Sequence, residues 1–383
     1  MIEKYYSGVI EQIYNRIGKE TRNIVMANYS NDFSIENLEV IRRYQSNEDN
    51  VFFAYSEFSY NTLVGAYEPF LDIICNMHRR FIGGSFDDFQ KECGVYYLHR
   101  QVLNSYYETG ECFREETVLL NEVAYEQRRM TMAIADMLKK LSEVKPLMIV
   151  INRFQMASKS SIETIKYLID NPCANIGIVL GVNAIVKGTD STVEVWDRIV
   201  ESLEDRSAIY YIGSAGPLKN NVKTTNDDEL YITMNFEQSI QEASNIMEFL
   251  DFEQARRGCR IIEHKLKFED AWIDEKSLRR FYMVYARTSV LLGEMSKAIE
   301  LTNEYKALIP ENDSEHYLSL YYFMKGTCYM YQGKLEKAGN SAKSAYDYAV
   351  LAEDDTLIFK AELLSVMIKT VSYTHLTLPT ILR

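Results

Sequence analysis

The chain has 383 residues, enough for two or three domains, and 47% of them are hydrophobic, which rules out a disordered chain. A formal charge of -13 at pH 7 argues against general binding to nucleic acid or anionic membranes, because both need a basic surface. With 17 glycines, 6 prolines and 28 tyrosines, the composition suits a helix-rich protein with large aromatic contacts. Basic pairs such as Arg128-Arg129 and Arg279-Arg280 lie among acids and read as solvated helix faces. The six cysteines (Cys75, Cys93, Cys112, Cys173, Cys259, Cys328) form no C-x-x-C pair and have no histidine at metal spacing, as expected in a reduced cytoplasm. Met1 leads into Glu3 and Lys4 without an apolar leader, and no run of about 18 apolar residues occurs, so the expectation is a cytoplasmic protein without a membrane span.

Residues 3 to 18 carry Tyr6, Val9, Ile10, Ile13 and Ile17 at helical spacing. Asn23 to Ala27 then reads as a buried strand, followed by a polar loop from Asn28 to Asp32 and a helix from about Ser34 to Tyr44. Val51 to Tyr55 is a second strand, and Leu63 to Arg80 a helix interrupted by Pro69. Gly83-Gly84-Ser85 fits a helix C-cap better than a phosphate loop, since no strand precedes it and no lysine follows. Cys93 to Cys112 reads as a helical insertion and Glu115 to Val144 as a long helix. His78 and His99, each beside an arginine, read as surface or insertion residues without a catalytic partner.

Leu147 to Ile151 is five apolar residues bounded by polar ones, the pattern of a buried parallel strand. Asn152-Arg153 follows, then a loop and a helix beginning at Ser160, where Ser160 and Glu163 stand at capping-box spacing. Ile176 to Leu180 and Ala208 to Ile212 complete five strands, with a helix over Val193 to Leu203 between them. Strands alternating with helices at these distances imply a mostly parallel sheet covered on both faces. The polar stretch Lys219 to Asp228 is the expected boundary, giving a first domain over residues 1–235.

The segment from Pro146 to Pro172 resembles the Walker B region of the signal-transduction ATPases with numerous domains, a branch of the AAA-like ATPases. Members show an apolar strand, Asp-Asp, Trp-Ala-Asp, then Ser-Leu-Glu and a leucine-rich helix. The chain keeps Ser161-Ile162-Glu163 but has Asn152-Arg153 for the acidic pair and Met156-Ala157-Ser158 for Trp-Ala-Asp. Tyr67-Glu68-Pro69-Phe70-Leu71 is similar to the same branch. The resemblance implies a P-loop-NTPase-like α/β sheet in the order 5-1-4-3-2, with a phosphate loop after the first strand and a sensor residue at Asn183. Between Arg22 and Arg42, however, there is neither a glycine nor a lysine, so Asn28, Ser30, Asp32 and Ser34 occupy the place of a phosphate cradle without its chemistry. An arginine in place of a metal-binding carboxylate repels Mg²⁺. The expectation is a degenerate site with no catalytic residue, no cofactor and no metal.

Residues 236–370 read as an all-α solenoid resembling tetratricopeptide repeats. Leu292-Gly293-Glu294-Met295-Ser296-Lys297-Ala298 recurs forty positions on as Gln332-Gly333-Lys334-Leu335-Glu336-Lys337-Ala338, and Phe249 to Ala255 is a weaker copy. Gly293 and Gly333 mark the turns, and Ala298 and Ala338 the close approach of paired helices. From Val371 the chain reads VSYTHLTLPT, which resembles a translated transposase-type sequencing adapter. Residues 371–383 are therefore expected to be an artefactual tail on a fragment.

Taken together, residues 1 to 370 resemble the N-terminal regulatory region of clostridial signalling proteins, in which a decayed AAA-like domain and helical repeats precede an output domain, often a diguanylate cyclase. That implies a non-catalytic sensory and scaffold region that binds proteins through its repeats, with a possible homodimer. An atypical active NTPase and the regulatory half of an ATPase-repeat transcription activator are the alternatives.

Overall fold

The computed structural model describes residues 2–29, 38–46, 50–59, 63–112, 122–183, 190–213, 235–268, 273–312 and 314–381. It divides into two compact units, residues 1–235 with 244–261, and residues 236–243 with 262–383. Residues 244–261, which the sequence reading gives to the repeats, thus pack with the first unit.

The first unit begins with α1 (Ile2–Tyr14), which buries Tyr6, Val9, Ile10 and Ile13. Strands β1 (Ile24–Tyr29), β2 (Phe52–Glu57), β3 (Leu147–Asn152), β4 (Ile176–Asn183) and β5 (Ile209–Ile212) form one five-stranded sheet, with every pair parallel, in the order 2-3-4-1-5. This is the expected order 5-1-4-3-2 read from the other edge. Between the strands run α2 (Glu39–Ser46), α3 (Phe70–Met77), a π turn (His78–Ile82), α4 (Phe86–Glu92), α5 (Tyr97–Thr109), α6 (Val123–Val144), α7 (Lys159–Asp170) and α8 (Asp190–Glu204). Gly83, with φ of +67°, caps the π turn. Every residue of β3 and β4 is buried, so both faces of the central sheet are covered.

On one face α1 packs over β1, β3 and β4 in a cluster with Val25, Ala27, Val150 and Val179. Gly177 and Gly181 lie four residues apart on β4 and therefore share that face. A Cβ at Gly177 would sit 2.9 Å from Ile17 and 3.0 Å from Ile13, and one at Gly181 would strike the Tyr6 hydroxyl and lie 2.7 Å from Asn152 Oδ1. The two glycines let α1 lie close against the strand.

Helices α9 (Phe236–Glu248) and α10 (Phe252–Phe268) meet at a turn in which Leu250 has φ of +69°. The second unit continues through α11 (Glu275–Leu291), α12 (Met295–Ala307), α13 (Ser314–Tyr331), α14 (Leu335–Leu351) and α15 (Asp355–Ile381). Gly293 and Gly333, at φ of +78° and +72°, take the left-handed conformation that glycine adopts without a Cβ penalty. At each turn the glycine N–H and the following N–H bond back into the helix, from Gly293 to Val290 O and Glu294 to Ser289 O, and from Gly333 to Met330 O and Lys334 to Tyr329 O. Glu353, at φ of +53°, makes the same pair of bonds with Asp354 between α14 and α15. Ala298 and Ala338 are fully buried. Among the described residues no helix is long and apolar enough to cross a membrane. Where a further glycine turn would fall one period on, α15 continues as helix through residue 373.

Candidate functional site

Ligands of open α/β sheets bind outside the carboxyl ends of the strands. Strands β1, β2, β3 and β4 end there in Asn28-Tyr29, Ser56-Glu57, Ile151-Asn152 and Val182-Asn183. The sheet extends further than the hydrophobic runs suggest: Asn28 and Asn183, expected in loops, lie inside β1 and β4, paired with Val182 and Tyr29 respectively. Ser30, Asp32 and Ser34 lie outside the described residues.

The polar ends are tied to one another. Tyr29 donates its hydroxyl to Asn152 Oδ1 at 2.7 Å, reaching from β1 to β3 across Gly181 of β4. The backbone N–H of Asn183 donates to Gln155 Oε1 at 3.4 Å. Asn28, Asn152, Asn183 and Gln155 are all buried. Tyr6 reaches the same place from α1, with its ring edge-on to Tyr29 at 6.4 Å. Burial first, then the neighbouring Tyr29, Tyr55 and Glu57, push its hydroxyl well above the ordinary tyrosine range and keep it protonated.

Arg153 stands just beyond β3 with φ of +54°, an uncommon conformation for a residue with a side chain. Its Nη1 lies 3.0 Å from Glu57 Oε1 at the end of β2 and donates to Phe58 O at 3.3 Å. The other Glu57 oxygen accepts from the Tyr55 hydroxyl. The carboxylate at this edge is therefore already met by a cation and a phenol. Among the described residues no three His, Cys, Asp or Glu side chains come together in a metal-binding group.

A second polar cluster lies where α7 begins. The helix starts one residue before the proposed cap, with Ser158 accepting from Ser161 N at 3.4 Å, so Ser160 and Glu163 do not form a capping box. Ser160 is occupied otherwise: its Oγ accepts from Tyr67 N at 3.0 Å, and its N–H donates to Asp251 Oδ2 at 2.9 Å. Asp251 Oδ1 accepts from Gln254 N at 3.4 Å, so one buried carboxylate binds both α7 and α10. Gln254 Nε2 donates to Val64 O at 2.9 Å, and Ser161 Oγ to Glu68 O at 2.7 Å, which closes the junction on the loop before α3. Burial raises the Asp251 pKa, against the lowering effect of the Ser160 bonds. Beside this junction opens a cleft of about 450 Å³ lined by Arg128, Lys159, Glu163, Lys166, Arg198 and Asp251. Three of its cations already have acidic neighbours: Lys159 with Glu253 at 3.3 Å, Lys166 with Asp170 at 2.6 Å, and Arg198 with Glu194.

The two histidines are not surface residues. His78 is buried among Phe86, Phe89 and Tyr107, with Nδ1 3.1 Å from the Tyr107 hydroxyl. His99 is buried with Nε2 3.0 Å from Glu126 Oε2, a carboxylate that sequence spacing did not bring to it. Local windows showed two arginine neighbours; the tertiary fold supplies an aromatic box and an acid. The glycines of β4 are the sequence signal for this crowding, because a glycine inside a strand marks a close approach.

No family model matches the chain, and no curated protein does.

Proposed function

We propose that residues 1–235 are a degenerate AAA-like, signal-transduction-type ATPase domain without catalysis, and that the helical repeats present binding surfaces for proteins. The single observation that carries this reading is Arg153 at the end of β3, ion-paired with Glu57 where an active P-loop enzyme needs a carboxylate free for Mg²⁺ or the attacking water. The five-stranded order and the strand-loop-helix succession around β3 support the scaffold; Tyr29, Asn152 and Tyr6 filling the strand ends support its loss of chemistry. Under this reading the chain is the sensory and scaffold region of a bacterial signalling protein, and its output is a separate domain, with a diguanylate cyclase favoured by the resemblance.

Phosphate release from Mg²⁺-ATP by the purified chain tests the catalytic half. The expected rate is background, and Arg153→Asp leaves it there, because a phosphate cradle and a carboxylate act together. Mg²⁺-dependent turnover by the wild type overturns the reading. The output assignment is tested separately by reading the gene from independently prepared DNA past the codon of Lys369. An in-frame cyclase supports it, and a helix-turn-helix in its place overturns it.

A further inference from the structure

The cleft of about 450 Å³ beside α7 lies wholly within the first unit, and its charges do not all cancel there. Arg128 stands on α6 three residues before Thr131, and Glu163 on α7 between Lys159 and Lys166, so one face of each helix forms a wall. The turn at Leu250-Asp251 is pinned to both walls: Gln127 Nε2 donates to Leu250 O at 2.6 Å, and Ser160 N to Asp251 Oδ2 at 2.9 Å. The cleft is thus held open by the fold, near the small end of the range of about 300–1,000 Å³ for ligand sites.

Five of the seven charged residues that line it are met by neighbours. Asp251 accepts from two backbone N–H groups, Lys159 lies beside Glu253, Lys166 beside Asp170, and Arg198 beside Glu194. Glu163 and Arg128 are left over: among the described residues neither makes a hydrogen bond or an ion pair. Glu163 is half-buried, and burial raises its pKa although Lys159, Arg198 and Lys166 pull it down. A carboxylate drawn out of water without a donor is costly, and a bound donor removes that cost. Arg128 is exposed and offers the forked guanidinium that matches a carboxylate. The lining also includes the apolar Met132 and Leu250 and the ring of Tyr167.

We propose that this cleft binds a small zwitterion of the amino-acid class, an apolar amino acid or dipeptide whose ammonium group donates to Glu163 and whose carboxylate accepts from Arg128. A ligand with one charge leaves one of the two groups unmet. The cleft shares no lining residue with the Tyr29, Asn152 and Arg153 cluster at the strand ends, and it gives the first unit an input that does not pass through a nucleotide. The inference rests on the sensory reading for its role alone.

Calorimetry of the full chain with L-leucine, L-methionine and L-phenylalanine, and with the three dipeptides that carry them before glycine, tests it. Saturable binding of at least one is expected, and the comparison of the two sets gives the ligand's length. The amine lacking its carboxylate and the acid lacking its ammonium group, for leucine isoamylamine and 4-methylpentanoate, should each bind about ten-fold more weakly, the worth of one charged hydrogen bond. Arg128→Gln should erase the advantage of the zwitterion over the amine, and Glu163→Gln its advantage over the acid. Both variants should melt like the wild type without ligand, because neither side chain is bonded within the fold. No binding by any of the six, an amine or acid as tight as the zwitterion, or variants that keep both advantages, overturns the proposal. Failure of the non-catalytic reading would show separately, as Mg²⁺-dependent turnover of ATP.

Discussion

Tyr29 and Asn152 are joined across a strand that lies between theirs: the Tyr29 hydroxyl donates to Asn152 Oδ1 at 2.7 Å above Gly181 of β4. The bond exists because Gly181 has no side chain, since a Cβ there would lie 2.7 Å from that same oxygen and against the Tyr6 hydroxyl. Gly181→Ala should therefore destabilise the first unit by about 1–3 kcal/mol, as overpacking of a filled core does. In chemical denaturation of the double variant with Tyr6→Phe, part of that loss should return. Equal losses with and without the Tyr6 hydroxyl would mean that Asn152 alone is displaced.

Asp251 accepts from first-turn N–H groups of two helices, Ser160 N of α7 at 2.9 Å and Gln254 N of α10 at 3.4 Å. Removing an N-cap costs about 1 kcal/mol and losing a hydrogen bond about 1 kcal/mol more. Asp251→Ala removes the cap of α10 and the bond to Ser160 N while Ser158 still caps α7, so it should cost about 2 kcal/mol. Asp251→Asn should cost less, because its one oxygen keeps one of the two donors. Urea denaturation of both variants decides; a smaller loss for alanine than for asparagine would contradict this pair of bonds.

Burial, and then the charge of Arg79, hold His78 below the ordinary histidine range. The folded state thus takes up a proton less readily than the unfolded chain. Above the unfolded value of about 6.5 both are neutral and there is no effect. Below it the unfolded chain gains a proton that the fold resists, so stability falls as the pH drops from there toward the folded value. His78→Gln should flatten this part of the profile, measured by urea melts at roughly pH 7.5 and 5.5. An unchanged slope would mean that another group carries it.

Ala298 and Ala338 are fully buried at the starts of α12 and α14. Replacing either with leucine should cost about 1–3 kcal/mol through overpacking, seen as a lower melting temperature of the full chain. Two unchanged melts would contradict close helix approach at these alanines.

How far the sequence carried the fold can be seen strand by strand. The apolar runs at Asn23, Val51, Leu147, Ile176 and Ala208 each became a parallel strand, and the run is continuous at β3 and β4 because those two are buried at every residue. The runs ended too early, since Asn28, Glu57, Asn152 and Asn183 continue the ladder with polar residues, and the Glu57 and Asn152 side chains find their partners only in three dimensions. The Gly293 and Gly333 turns were legible for a backbone reason, the left-handed conformation. Leu250 and Glu353 make that turn without glycine, so composition gives no sign of them. The Arg153–Glu57 pair spans β2 and β3, 96 residues apart in the chain, and only the strand order brings it together.

We propose that the carboxyl edge of this sheet holds no nucleotide. Calorimetric titration of the full chain with ATP, with and without Mg²⁺, tests it most directly. The account predicts binding no tighter than about millimolar, about -4 kcal/mol, and no dependence on Mg²⁺. Micromolar binding that requires Mg²⁺ would contradict it.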